Sequence, residues 1–203
     1  MMMDGNERVL APLERTLLDP VIAAFHAVDW SGPEFSRPEG VLKDGRLVEY
    51  PMPIAQRSRV RTPAQDALVA ATQPILDHII AMPRFVHHMW VRGEIAGIPP
   101  GATLGWHIDT LWFHANCIRL HVPLLTNDGA YLLWEGVRSH LTVGRLYEIN
   151  NRVLHSATNE GSALRVHLIL DIMPIAQWDA AVAAGTKMTD RLLPPGAPPP
   201  PSA

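Results

Sequence analysis

His107 and Asp109 stand two positions apart in the run GWHID (residues 105–109), and no other histidine in the chain has an acidic residue at that offset. In an extended strand, residues i and i+2 project to the same face, so an imidazole and a carboxylate can grip one divalent metal together. A mononuclear site needs a third protein ligand, and His155, in YEINNRVLHSATN, supplies a candidate. Two histidines and one carboxylate with positions left open suit non-haem Fe(II) oxygen chemistry. Three protein ligands leave room for a chelating co-substrate and dioxygen.

A co-substrate with a distal carboxylate needs a cation at fixed depth. Arg165 lies in the apolar run ALRVHLILDI, where an always-charged guanidinium must be paired. Bidentate recognition of a carboxylate is the task it matches best; an internal salt bridge, for instance to Asp171, is the alternative. Arg119 and His121 repeat the i, i+2 pattern in NCIRLHVPLLT. His121 is a candidate donor to the metal-side carboxylate of the co-substrate, or a satisfied core histidine. Arg119 is a candidate to steady that same end, or a buried carboxylate elsewhere. His114 falls in an expected loop, which puts it at the rim. His87 and His88 face opposite sides of their strand, and His167 shares a face with Arg165. Trp106, Trp112, Trp134, Arg138 and His140 are candidate substrate contacts by position alone.

These residues need a sheet to position them. From residue 85 onward six short strand-like runs, RFVHHMWVRGEI, ATLGWHID, NCIRLHVPLLT, AYLLWEG, HLTVGRLYEI and ALRVHLILDI, alternate with turn residues, which favours a closed or double-sheet β architecture. Upstream, Leu10, Leu13, Leu17 and Val21 recur at helical spacing. They predict a helix over 7–29, interrupted at Asp19-Pro20 into two short ones. WSGPEFSRPEG reads as loop, and VLKDGRLVEY reads as a hairpin about Asp44-Gly45. Thr62-Pro63-Ala64-Gln65 is a capping box with proline at the first helical position; the helix it starts should be kinked or split at Pro74. A last helix is expected over 176–184. The expected architecture is mainly β with N-terminal helices: a helical part (1–84), a β-core (85–173) and a short C-terminal helix in one domain (1–191), then a proline-rich tail (192–203).

Composition bounds the partners. The 203 residues carry a net charge of −3, without the basic footprint that nucleic-acid binding leaves. No apolar run reaches the length of a membrane span. One cysteine, Cys117, excludes an internal disulfide or a multi-cysteine zinc site and suits a reduced, cytoplasmic setting; within its apolar strand it reads as a core thiol.

The joint order GWHID, RLHVPLLTN and GRLYEINNRVLHSATNEGSALRVHLILDI resembles the aspartyl/asparaginyl β-hydroxylase family over roughly residues 85–173. That family belongs to the Fe(II)- and 2-oxoglutarate-dependent oxygenases and includes bacterial free-proline hydroxylases. The resemblance implies a double-stranded β-helix (jelly-roll/cupin-like) core, with His107, Asp109 and His155 as iron ligands. It also implies Arg165 on the distal carboxylate of 2-oxoglutarate, His121 on its metal-side carboxylate, and O2 as oxidant. Animal members replace the aspartate by glycine, so Asp109 aligns this chain with the bacterial branch, and its carboxylate fills the position a halide would need. The expected reaction is hydroxylation of an unactivated C–H bond in an amino acid, a peptide or protein residue, or a related small metabolite. Two other readings stand beside it: a cupin-type metalloenzyme that does not use 2-oxoglutarate, and a non-catalytic ligand-binding β-domain. The sequence leaves the oligomeric state open.

Overall fold

The computed structural model describes residues 5–30, 42–48 and 62–186. Its elements in chain order are β1 (Glu7–Pro12), α1 (Arg15–Ala27), β2 (Leu42–Val48), α2 (Pro63–Ile80), β3 (His88–Ile98), β4 (Thr103–His107), α3 (Trp112–Asn116), β5 (Ile118–Leu125), β6 (Ala130–Trp134), β7 (Val137–Ser139), β8 (Arg145–Ile149), β9 (His155–Asn159), β10 (Arg165–Pro174) and α4 (Ile175–Ala183). The strands form a six-stranded sheet in the order β1-β8-β5-β10-β3-β2 and a four-stranded sheet in the order β4-β9-β6-β7. Every pairing is antiparallel. From β3 to β10 the chain crosses back and forth between the two sheets. That is the double-stranded β-helix, a jelly roll of the cupin kind.

Strict alternation along the central strands builds two interiors. On β10, Val166, Leu168, Leu170 and Ile172 pack with Leu120, Val122 and Leu124 of β5 and with Leu18, Val21, Phe25, Leu68, Ile75, Leu76 and Ile79 of α1 and α2. The helices therefore cover the outer face of the larger sheet, which explains why its strands are apolar on that side. The intervening residues, Arg165, His167, Ile169 and Asp171 of β10 with Arg119 and His121 of β5, face the smaller sheet. At one end of this inner space Ile98, Tyr147 and Ile149 meet Leu132, Trp134 and Ala157.

Several local expectations need correction. Glu7–Pro12 is a strand, paired with β8, so the leucine periodicity spans a strand, a turn and a helix. Pro20 sits inside α1 without ending it. Proline in a helix interior costs about 3 kcal/mol, and burying Leu18, Val21 and Phe25 against the sheet offsets that. The expected hairpin at Asp44-Gly45 is one strand, β2, which pairs with β3 and jumps register between Asp44 and Val48, an irregularity that glycine accommodates. Thr62 and Gln65 do form the capping box, and α2 runs unbroken past Pro74. The final helix begins one residue earlier than expected. The loop expected over WSGPEFSRPEG falls almost wholly, and the proline-rich tail entirely, outside the described residues.

Two turns lock the end of the barrel that precedes β10. Glu160 N–H donates to Gly129 O (2.8 Å), Asn127 Nδ2 to Ala163 O (2.7 Å) and Asn159 Nδ2 to Ile98 O (2.8 Å). A Cβ on Gly129 would collide with the backbone at Glu160-Gly161. Gly129→Ala should therefore destabilise the protein by about 1–3 kcal/mol, read as a lowered urea midpoint with unchanged slope.

Candidate metal and co-substrate site

His107 and His155 face each other across β4 and β9, with ring centroids 4.3 Å apart. Leu104 and His107 are three residues apart, so in a regular strand they would point to opposite faces. The register shift between them lets Leu104 pack inward while His107 also turns inward. Asp109 lies beyond the end of β4, so the expected same-face strand geometry does not place it. A loop does, fixed where Asp109 N–H donates to Asn151 O (3.2 Å). One donor atom from each of His107, Asp109 and His155 lies within 4.8 Å of the others.

The ring nitrogens are already sorted. His107 Nδ1 lies 2.7 Å from Gly105 O and His155 Nδ1 2.8 Å from Val153 O. A carbonyl only accepts, so both rings carry hydrogen on Nδ1 and keep the Nε2 lone pair, the form a metal takes. Burial holds His155 below its usual value, which favours the same neutral form. Asp109 Oδ2 accepts from Arg119 Nη1 and from Asn151 Nδ2 (3.2 Å), while Oδ1 lies 3.9 Å from His107 Nε2. Burial alone would raise the Asp109 carboxyl, but Arg119 and the surrounding imidazoles hold it down at about 2. The three groups thus fit a divalent metal in charge, protonation and spacing.

Arg119 is not where the co-substrate reading puts it. Its Nε and Nη2 form a bidentate pair with Asp171 (2.9 Å each) and its Nη1 holds Asp109. The guanidinium steadies buried carboxylates, one of which belongs to the triad. Asp171 lies opposite Arg119 in the β10–β5 register and opposite Arg92 in the β10–β3 register, so it is not the partner of Arg165.

Arg165 is 3% exposed. Its polar neighbour is His167 Nδ1, 2.9 Å from Nη2, and among the described residues no carboxylate pairs with it. Burial pulls its pKa down to about 9. A guanidinium in that state is destabilising unless an anion meets it. Since guanidinium only donates, His167 Nδ1 accepts from Arg165, and His121 Nδ1, 3.2 Å away, donates to the same atom.

His121 and His167 are fully enclosed, and burial followed by the Arg165 charge pushes both well below the usual histidine value. Their unfolded counterparts titrate near 6.5, so below that pH the unfolded chain binds protons that the folded one refuses. Stability is then lost as pH falls from about 6.5 toward the folded-state values. Denaturation of the metal-free protein should show stability falling steadily as pH drops below about 6.5, and His167→Gln should make that fall shallower.

The remaining candidates scatter. Trp134 is buried on β6 opposite His155, and its Nε1 has no hydrogen-bond partner among the described residues. Trp106 is 53% exposed at the β4 irregularity, next to His107. Trp112 starts α3 and packs beside Phe113, Cys117 and Trp178, where Cys117 is the core thiol expected. Arg138 pairs in register with Leu133, whose face is opposite to that of Trp134 and His155. There it holds Glu160 (2.8 Å) and covers the Tyr131 ring (4.2 Å), on the far side of the sheet from the triad. His140 bonds Ala130 O (2.9 Å). His114, expected at the rim, is buried on α3, with Nε2 3.2 Å from Arg92 Nη1 and Nδ1 3.8 Å from Asp109 Oδ1. Asn151, Arg92 and Glu94 complete the polar lining and escaped the sequence reading. Arg92 and Glu94 carry the same i, i+2 charged pattern in an apolar strand that singled out Arg119 and His121.

The aspartyl/asparaginyl β-hydroxylase model matches residues 51–174, more than half of the chain. The chain belongs to the aspartyl/asparaginyl β-hydroxylase family. Among solved structures, AviO1 from Streptomyces viridochromogenes Tue57 is similar at 13% identity and a TM-score of 0.50, over 84% of this chain and 90% of that one. The non-heme monooxygenase ThoJ in its apo form is similar at 15% identity and a TM-score of 0.50, over 82% and 73%. Both share the fold with this β-hydroxylase family member. No curated protein matches it.

Proposed function

We propose that this chain is an Fe(II)- and 2-oxoglutarate-dependent oxygenase. It would hydroxylate an unactivated C–H bond of an amino acid, of an amino-acid residue in a peptide or protein, or of a related small metabolite. The observation that carries the proposal is Arg165, a buried guanidinium without a carboxylate partner among the described residues, on the same inner surface as a two-histidine, one-carboxylate triad. Either feature alone has ordinary explanations. Together they match a metal and a dicarboxylate that chelates it at one end.

In this reading His107 Nε2, His155 Nε2 and Asp109 Oδ1 hold the metal. Iron with 2-oxoglutarate and O2 supplies the oxidising power, the co-substrate leaving as succinate and CO2. Arg165 takes the distal carboxylate, and its fixed depth in β10 sets how far the other end reaches toward the triad. His121, expected on the metal-side carboxylate, spends its one ring hydrogen on His167, so the neutral ring offers that carboxylate no donor. Arg119 and Asn151 orient Asp109 by occupying Oδ2, which leaves Oδ1 for the metal. Asn151→Ala should therefore weaken metal binding roughly 10–100-fold, the usual cost of removing a partner behind a metal ligand, measured by chelator competition.

The functional test is succinate release under air with Fe(II) and 2-oxoglutarate, screened over amino acids and short peptides, with mass spectrometry for gain of one oxygen. Succinate formed in step with an oxygenated product supports the reading. Metal binding without 2-oxoglutarate affinity would favour the cupin-type enzyme, and neither would favour the ligand-binding domain. No helix among the described residues is long and apolar enough to cross a membrane, and small-molecule or peptide substrates fit the family.

A further inference from the structure

His114 lies beside the triad with a ring donor left over. Guanidinium only donates, so Arg92 Nη1, at 3.2 Å, gives its hydrogen to His114 Nε2 and the ring hydrogen sits on Nδ1. That N–H is buried and has no hydrogen-bond partner among the described residues. Asp109 Oδ1 lies 3.8 Å from it, too far for a hydrogen bond, and this is the oxygen on the His107 side of the carboxylate. This is a buried donor held in one tautomer at the edge of a metal triad, without an acceptor among the described residues. Buried polar groups of this kind are satisfied by a ligand or carry a cost.

We propose that His114 Nδ1–H anchors the substrate beside the metal, and that the atom it binds is a neutral oxygen (carbonyl, amide or hydroxyl) rather than a carboxylate. The proposal rests on the oxygenase reading and narrows its substrate class. Charge decides the kind of acceptor. Around His114, Arg92 holds Glu94 and faces Asp171 at 3.6 Å, and Arg119 is shared by Asp171 and Asp109. Both guanidiniums on this side are matched by three carboxylates. A divalent metal adds two positive charges, the dianionic co-substrate removes them, and Arg165 supplies the last positive charge. With metal and co-substrate bound, these buried charges cancel. A substrate carboxylate at His114 would stand as an unmatched buried anion among Asp109, Glu94 and Asp171. A neutral oxygen accepts the same hydrogen bond without that penalty.

The test uses protein loaded with Zn(II) and 2-oxoglutarate, which is diamagnetic and does not turn over. Nitrogen-15 histidine labelling follows the His114 Nδ1–H signal while amino acids and their α-carboxamides are titrated in matched pairs. The expected result is a saturable shift with carboxamides and none with the parent acids. His114→Phe should lose carboxamide affinity by about ten-fold or more, about 1.4 kcal/mol, while zinc content and 2-oxoglutarate affinity stay at wild-type values. His114→Asn, whose amide nitrogen takes the Nδ1 position, should regain part of that affinity. Shifts with the free acids instead, or with neither class, overturn the proposal. So does loss of zinc in His114→Phe, which would make the ring a support for Asp109. A wild-type protein that binds zinc but not 2-oxoglutarate would overturn the oxygenase reading first and this one with it.

Discussion

Arg165→Met should make the metal-free protein more stable and leave it unable to hold 2-oxoglutarate. The two effects have one cause. The guanidinium is buried in β10 with His167 as its polar neighbour; replacing buried ionic groups by well-packed apolar side chains of similar volume is neutral or stabilising by about 1–4 kcal/mol, and here no ion-pair partner is left behind among the described residues. Bound co-substrate reverses the balance, because its carboxylate supplies the counter-charge. Truncating one partner of a buried, hydrogen-bonded charge pair costs about 2–5 kcal/mol, so 2-oxoglutarate affinity should fall between roughly 30-fold and several thousand-fold. Urea denaturation without ligand and calorimetric titration with 2-oxoglutarate read the two halves separately. A variant that is destabilised in the metal-free form and binds 2-oxoglutarate normally would place the clamp elsewhere.

Asp109→Asn should abolish tight metal binding while keeping the fold. The amide removes the one charge that the triad offers to a divalent cation, and its oxygen is still drawn to Arg119. Arg119 retains its bidentate partner Asp171, so the buried guanidinium is not stranded. The loss of Fe(II) affinity should exceed the roughly 10–100-fold expected for Asn151→Ala, since a ligand weighs more than the group behind it. Competition with a chelator of known affinity measures both. Equal affinities for wild type and Asp109→Asn would remove Asp109 from the metal.

These expectations rest on features of unequal visibility in the sequence. The capping box at Thr62 is legible because its chemistry is local, and the strands β5 and β10 are legible because both of their faces are buried and apolar residues dominate them. β1 was hidden because its one leucine, Leu10, and Leu13 just beyond it fit a helical period that begins in earnest only at Arg15. β9, HSATN, was hidden because its five residues are polar or small yet all buried. Its inward side carries His155, Ala157 and Asn159, chosen for the site and the turn rather than for hydrophobicity.

The site divides the same way. His107, Asp109 and His155 are nameable from type and spacing, although a loop tied to Asn151, not strand alternation, brings Asp109 in. Arg165 stood out as a charge in an apolar strand. Arg119 stood out for the same reason, and its pairing with Asp109 and Asp171 is a three-dimensional fact that spacing does not encode. His114 was misplaced because α3 is short and begins without a side-chain cap, which leaves no local signal of a helix that turns the ring inward.

The central claim is that three side chains from two separate segments bind one iron to which 2-oxoglutarate then chelates. Anaerobic titration with Fe(II) and 2-oxoglutarate, followed by visible absorption, tests it most directly. The expected result is a weak metal-to-ligand charge-transfer band that saturates at one iron and one 2-oxoglutarate per chain and is missing in His155→Ala. Tight iron binding that survives the loss of His155, or a wild-type protein that shows no such band with both components present, would contradict it.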